Sequence, residues 1–397
     1  MAETPSPTRA RILAIGIGCV LAGAGVWAWT RTAAKHEATV YEQKSRAVRE
    51  LIARHAHEQP GPAPARRYEL PNEVASILFP YGATEEYDPW SYYRHKGNQR
   101  IRLPLAERPG ASFECVTNSL GMREDTEVAG EHPDLRVLVT GDSHTDGVCE
   151  NRESYANRLE AALALDRPGT TVEVLNAANG GFSLYNYLGV LEKFVDLQPD
   201  AFVVGVYGGN DLREVLFPLA YFSRTEIESD TPKELAELER GRQLDARAMN
   251  QAFRSIVSGR AHPEQRTRAV RAAIDLTVEM QTICRAHSIR MLCVYIPSPT
   301  EVAWKDHAEV FDRFKTDLSL SDTDLGRESE MASEYLAGLR AADIETLDAR
   351  DVLVPGEGPY FWKGEYHLNL RGHERIADAL RARFATWKDF PPRREPR

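Results

Sequence analysis

Apolar positions fall into three textures along the chain. Residues 12–29 (ILAIGIGCVLAGAGVWAW) run without a charge and end on Trp27 and Trp29. At ~1.5 Å per residue the run makes ~27 Å of helix, close to the ~30 Å hydrocarbon core of a bilayer. Arg9 and Arg11 precede it, and Arg31 and Lys35 come after it. These flanking charges nearly balance. The short tail before the run predicts an N-terminal tail and transmembrane signal anchor over 1–35, with the bulk of the chain exported, while a lipoprotein reading at Cys19 is weaker. A cleaved signal peptide is the rival reading, with Thr32-Ala33-Ala34 as the cleavage region. The second texture, 36–58, is polar and helix-prone, with a thin stripe of Val40, Val48, Leu51 and Ile52. It predicts a stalk helix, broken by Pro60-Gly61-Pro62-Ala63-Pro64, so that stalk and Pro-rich linker together occupy 36–67.

The third texture starts after an irregular, aromatic-rich extension at 68–130 (Tyr87, Trp90, Tyr92, Tyr93), expected to pack as extended strands on the main domain. Continuous apolar runs then alternate with helical periodicity. Runs at 135–140, 172–177, 201–207 and 290–296, and IETLDA near 344–349, read as buried strands. Helical stretches are expected at about 155–163, 184–197, 265–287, 329–341 and 371–387. Strand and helix alternating in this way predict an α/β domain over 131–390, a doubly wound parallel sheet with helices on both faces. Two charged inserts, near 212–262 and 300–328, interrupt it and are expected to cap the site.

Composition narrows the function classes. Formal charge is −10, from 49 basic and 59 acidic residues, and it is spread along the chain. No basic stripe exists to neutralise phosphates, which excludes a general nucleic-acid binder. The five cysteines (Cys19, Cys115, Cys149, Cys284, Cys293) form no CxxC pair and no His/Cys ladder. That argues against a zinc module and a disulfide scaffold. Cys115 and Cys149 are the pair to test for a disulfide if the domain is exported.

In such sheets ligands bind at the carboxyl ends of the strands. Four polar clusters stand there: Gly141-Asp142-Ser143-His144-Thr145, Asn176-Ala177-Ala178-Asn179-Gly180-Gly181, Gly208-Gly209-Asn210-Asp211, and Glu365-Tyr366-His367-Leu368-Asn369 before the last helix. A serine at a strand-to-helix turn has helix N-terminal amides beside it, which favour developing negative charge. Ser143 is the candidate nucleophile, His367 its base and Glu365 the acid that holds the tautomer. The Ser143 and Gly181 backbone N–H groups and the Asn210 side chain supply oxyanion donors. No cofactor or metal is expected.

These four blocks together resemble the SGNH (GDSL-like) hydrolase superfamily over about 135–387. Asn118-Ser119-Leu120-Gly121-Met122-Arg123 also looks like a lead-in seen in exported, membrane-anchored bacterial members. The resemblance implies a flavodoxin-like fold and metal-free hydrolysis of ester bonds by a Ser-His-acid triad. The chain departs from the family in two respects. Block two reads Gly180-Gly181 where many relatives have one glycine, so either could be the donor, with the spacing from Asn176 favouring Gly181. The place of the acid differs as well. Aspartate two or three residues before the histidine is usual there, whereas Gly364 and Glu365 hold those places here.

Bland readings exist for each residue. Ser143 could be a helix N-cap, Asn210 a turn residue and His367 a surface histidine. His144 is expected to pack, His373 to be structural, and Asp142 and Asp211 to bind loop backbone. Three functions share the same residues: an esterase acting on small-molecule or glycan esters, an O-acyltransferase passing the acyl group to a cell-envelope polysaccharide, and a non-catalytic envelope protein. The acyl group, the alcohol and the oligomeric state are not legible.

Overall fold

The structure is a computed structural model that describes residues 46–58, 66–228, 230–387 and 390. The apolar run 12–29 and the first part of the expected stalk lie outside the described residues, as does most of the Pro-rich linker. Among the described residues, no helix is long and apolar enough to cross a membrane. The described residues from Val48 onward form one compact unit.

Five parallel strands carry the unit: β5 (Leu135–Gly141), β6 (Val172–Asn176), β7 (Ala201–Tyr207), β8 (Arg290–Ile296) and β9 (Glu345–Asp348). They lie side by side in the order β6-β5-β7-β8-β9, all parallel in register. This is the 2-1-3-4-5 order of a flavodoxin-like sheet, in which strand order reverses at β5/β7. Strand periodicity splits the core in two. Leu135, Val137, Val139, Ala201 and Val203 join one cluster with Leu159, Ile376, Leu380 and Phe384, from the helices Tyr155–Asp166 and Leu370–Ala385. Leu138, Phe202, Val204 and Val206 face the other way, onto the helices Leu184–Phe194, Pro263–Ala286 and Asp322–Ala341. Helices thus cover both faces, as the alternation predicts.

The extension contributes two small antiparallel hairpins, not strands of the main sheet. β1 (Glu85–Asp88) pairs with β2 (Tyr92–His95), and β3 (Arg100–Pro104) pairs with β4 (Ser112–Val116). Tyr92 and Tyr93 enter the main core. The inserts are helical. Pro232–Ala248 changes direction at Asp245 (φ −161°, ψ 110°) and runs through the π-helical turn Met249–Phe253 into Arg254–Ala261. Of the expected stalk stripe, the described residues Val48 and Ile52 pack with Ala220, and Arg49 pairs with Asp230 at 2.5 Å.

Candidate active site

β5 delivers its last residue into the turn Asp142-Ser143. Asp142 caps the one-turn helix Ser143–Asp146, its carboxylate accepting the His144 N–H at 2.9 Å. Ser143 is therefore the first helical residue, where an N–H has no partner inside the helix. Its Oγ lies 2.9 Å from His367 Nε2. The two residues meet from opposite ends of the domain sequence, each at the strand or helix end where the sequence puts it.

His367 sits on a closed loop. Trp362 N–H donates to the His367 carbonyl at 2.8 Å, and Tyr366 N–H donates to the Trp362 carbonyl at 3.0 Å. The His367 Nδ1 lies 3.1 Å from the Glu365 main-chain oxygen and 3.8 Å from its carboxylate. Glu365 thus faces Nδ1 with two oxygens, its backbone carbonyl nearer than its carboxylate. Its backbone carbonyl orients the ring, and its carboxylate stands behind, ion-paired to Arg247. Either oxygen favours the same tautomer, Nδ1–H donating and the Nε2 lone pair facing Ser143. Burial, then the Arg247 charge, lowers the His367 pKa to about 4, with Asp146 pulling the other way. The ring is neutral at pH 7, as a base must be.

The oxyanion candidates stand just beyond strands β6 and β7. Gly181 adopts φ +78°, a conformation that favours glycine, and a Cβ there would meet the Tyr93 hydroxyl at 3.0 Å. Its N–H and that of Ser143 donate to no protein acceptor among the described residues. Asn210 caps the helix Asp211–Glu214 through its main-chain oxygen, so its side chain is left free, with Oδ1 buried and unpartnered. Oδ1 is an acceptor, so an oxyanion would be met by the Nδ2 hydrogens of the same side chain and not by this atom. Asp211 Oδ2 accepts from Tyr207 N–H at 2.7 Å and Tyr187 OH at 2.6 Å, a backbone-holding role as expected. Burial raises the pKa of both, with repulsion from Glu214 added at Asp142 and repulsion from Asp142 added at Asp211.

Other groups that shape the site carry no local sequence signal. Glu107, on the β3–β4 connection, accepts the N–H groups of Lys363, Gly364 (2.8 Å) and Glu365 (3.2 Å). Asp245, at the bend of the first insert, accepts the Tyr366 hydroxyl at 3.0 Å. His307 and Phe311 of the second insert pack their rings against Tyr366 at 5.1 and 6.0 Å. Both inserts therefore touch the histidine loop. Arg123, the last residue of the lead-in motif, is 1% exposed. It donates to the carbonyls of Asp146 (2.9 Å), Gly147 (2.7 Å) and Cys149 (2.7 Å) and to Asn151 Oδ1 (3.0 Å).

His144 packs on Tyr207 with centroids 3.7 Å apart. His373 Nδ1 accepts the Tyr155 N–H at 3.2 Å. Both histidines are structural here. Cys115, Cys149, Cys284 and Cys293 are buried free thiols. Away from the loop, Asp230, Glu234 and His262 offer ligand atoms within 4.8 Å of one another. Both His262 nitrogens already face carboxylates, Glu228 at 2.8 Å and Glu234 at 2.7 Å, and Arg49 holds Asp230.

No family model matches the chain, and no curated protein matches it. Solved structures that align with it include a GDSL-like lipase from Bacteroides thetaiotaomicron, 12% identical over 64% of this chain and 88% of that one (TM-score 0.36). A psychrotrophic esterase from Pseudoalteromonas sp. is 12% identical over 64% and 98% (TM-score 0.38). An acetylxylan esterase from Geobacillus stearothermophilus is 11% identical over 67% and 100% (TM-score 0.37).

Proposed function

We propose that this chain is a serine esterase of SGNH type that moves the acyl group of an ester onto Ser143 and then onto water. The observation that carries the reading is the 2.9 Å contact between Ser143 Oγ and His367 Nε2, made at the strand ends where sheet order reverses. Neutral His367 takes the hydroxyl proton as Oγ attacks the carbonyl carbon. The resulting oxyanion sits among the Ser143 and Gly181 N–H groups and the Asn210 amide. His367 returns its proton to the leaving alcohol, and a water repeats the cycle on the acyl-serine. Glu365, through its carbonyl and the carboxylate behind it, stabilises the imidazolium formed between the two transfers. No step calls for a cofactor.

Transfer of the acyl group to a sugar hydroxyl would use the same residues. Acyl-donor turnover with and without glycans separates transfer from hydrolysis. The apolar run 12–29 supports a membrane-anchored enzyme with its catalytic domain on the outer side. A reporter fused after Arg397 should then be active outside the cytoplasm.

The direct test is labelling with a fluorophosphonate. Wild-type protein should label at Ser143, and Ser143→Ala should not, with its melting temperature nearly unchanged. Labelling that persists in the variant would overturn the assignment, and an unlabelled wild type would favour a binding protein.

A further inference from the structure

The hairpin β1–β2 lies outside the parallel sheet, yet its position is fixed against it. Gly189 brings the helix Leu184–Phe194 so close that a Cβ there would lie 2.0 Å from the Trp90 carbonyl oxygen. Asn186, on the same helix, donates its amide to the Ser91 carbonyl at 2.8 Å, and the Ser91 hydroxyl donates to the Tyr93 carbonyl at 2.9 Å. Tyr93, in β2, is 4% exposed, with its ring edge-on to Phe182 at 5.0 Å. Its hydroxyl donates to the Gly180 carbonyl oxygen at 2.8 Å.

That carbonyl belongs to the peptide unit joining Gly180 to Gly181. The unit is trans, so its C=O and N–H point in opposite directions. A peptide between two glycines is otherwise free to turn over, because neither flank carries a Cβ to resist it. Gly180 itself lies against the nucleophile, the position of a Cβ there falling 3.7 Å from Ser143 Cβ.

We infer that Tyr93 is a positioning residue for the reaction: by holding the Gly180 carbonyl on the hairpin side, it keeps the Gly181 N–H turned to the substrate oxygen. The inference rests on the esterase reading and gives the extension a task in it. The phenol can serve across the working pH range, since burial raises its pKa well above the ordinary value and keeps it a donor.

Tyr87 provides a matched control. It stands opposite Tyr93 in the same hairpin, and its hydroxyl donates to the Leu70 carbonyl at 2.6 Å, away from the site. Tyr93→Phe and Tyr87→Phe each remove one tyrosine-to-backbone hydrogen bond while keeping the ring. Both would be made in the full chain and assayed on p-nitrophenyl acetate and with a fluorophosphonate. Tyr93→Phe should lower kcat about tenfold or more at constant KM, and slow Ser143 labelling to a similar extent. Tyr87→Phe should change neither, with both melting temperatures within a few degrees of each other. A Tyr93→Phe kcat within twofold of wild type would overturn the inference. Equal losses in both variants would do so too, by showing that only hairpin stability matters. A wild type that does not label at all would instead bring down the esterase reading beneath it, a failure seen before either variant is made.

Discussion

An ordinary histidine base would lose activity below pH 6.5, and this one should not. The perturbation is acid, and its target is the His367 lone pair facing Ser143. The charged and titratable groups around the ring are Arg247 and Glu365 on the outer side, and Asp146 and His144 on the nucleophile's side. Burial, reinforced by Arg247, lowers the pKa to about 4. At pH 5 a base of pKa about 4 is roughly 0.9 neutral, whereas one at about 6.5 is roughly 0.03 neutral, a contrast of about 30-fold. The assay is kcat/KM for a short-chain ester from pH 4 to 8, monitored by alkali uptake. An acid limb at pH 6 to 7 would refute the reasoning, and Arg247→Ala should move the limb upward. Stability has a separate sign. The folded pKa lies below the unfolded one, so the unfolded chain binds the proton first. The His367 contribution is full above about 6.5 and is lost between there and about 4, by up to about 3 kcal/mol. His373, lowered to about 3, acts in the same direction. Circular dichroism at each pH keeps unfolding apart from catalysis.

Three further outcomes are expected. Asn210→Ala should cut kcat by about 10²- to 10³-fold with KM little changed. A rise in KM alone would place the amide in ground-state binding. Glu107→Ala removes the acceptor of three loop N–H groups, so turnover should fall several-fold while global unfolding barely shifts. An unchanged rate would make that carboxylate ornamental to catalysis. Arg123→Met leaves Asp146 without its buried cation and three carbonyls without donors. Urea denaturation should show a loss of about 3–5 kcal/mol, and a loss under 1 kcal/mol would contradict the burial argument.

Strands of the main sheet are legible to within a residue or two because parallel strands buried on both faces leave unbroken apolar runs. Leu135–Gly141 and Ala201–Tyr207 are examples, buried along their whole lengths. Ser143 and His367 are legible because each stands beside a predictable element end. Their surroundings are not. Glu107, Asp245 and Arg247 reach the histidine loop across more than a hundred residues of sequence, where no spacing rule operates. The backbone carbonyl of Glu365 lies nearer the ring than its carboxylate for a local reason. The loop closure between Trp362 and His367 turns the Glu365 backbone carbonyl to the ring ahead of the side chain, a detail of dihedral angles that composition does not encode. The hairpins are legible only as extended structure, since Tyr92 at φ +68° turns the chain where no glycine announces it.

Arg123 precedes every strand of the main sheet, yet the carbonyls it gathers belong to residues 146–149. During synthesis its guanidinium must therefore wait in water until the segment after the nucleophile has been made and folded back. The two stretches, near 123 and 143–151, should then form and open as one unit. Native-state hydrogen exchange would show this as a shared opening energy. Separate energies would mean that the serine's turn holds its shape without the older segment beside it.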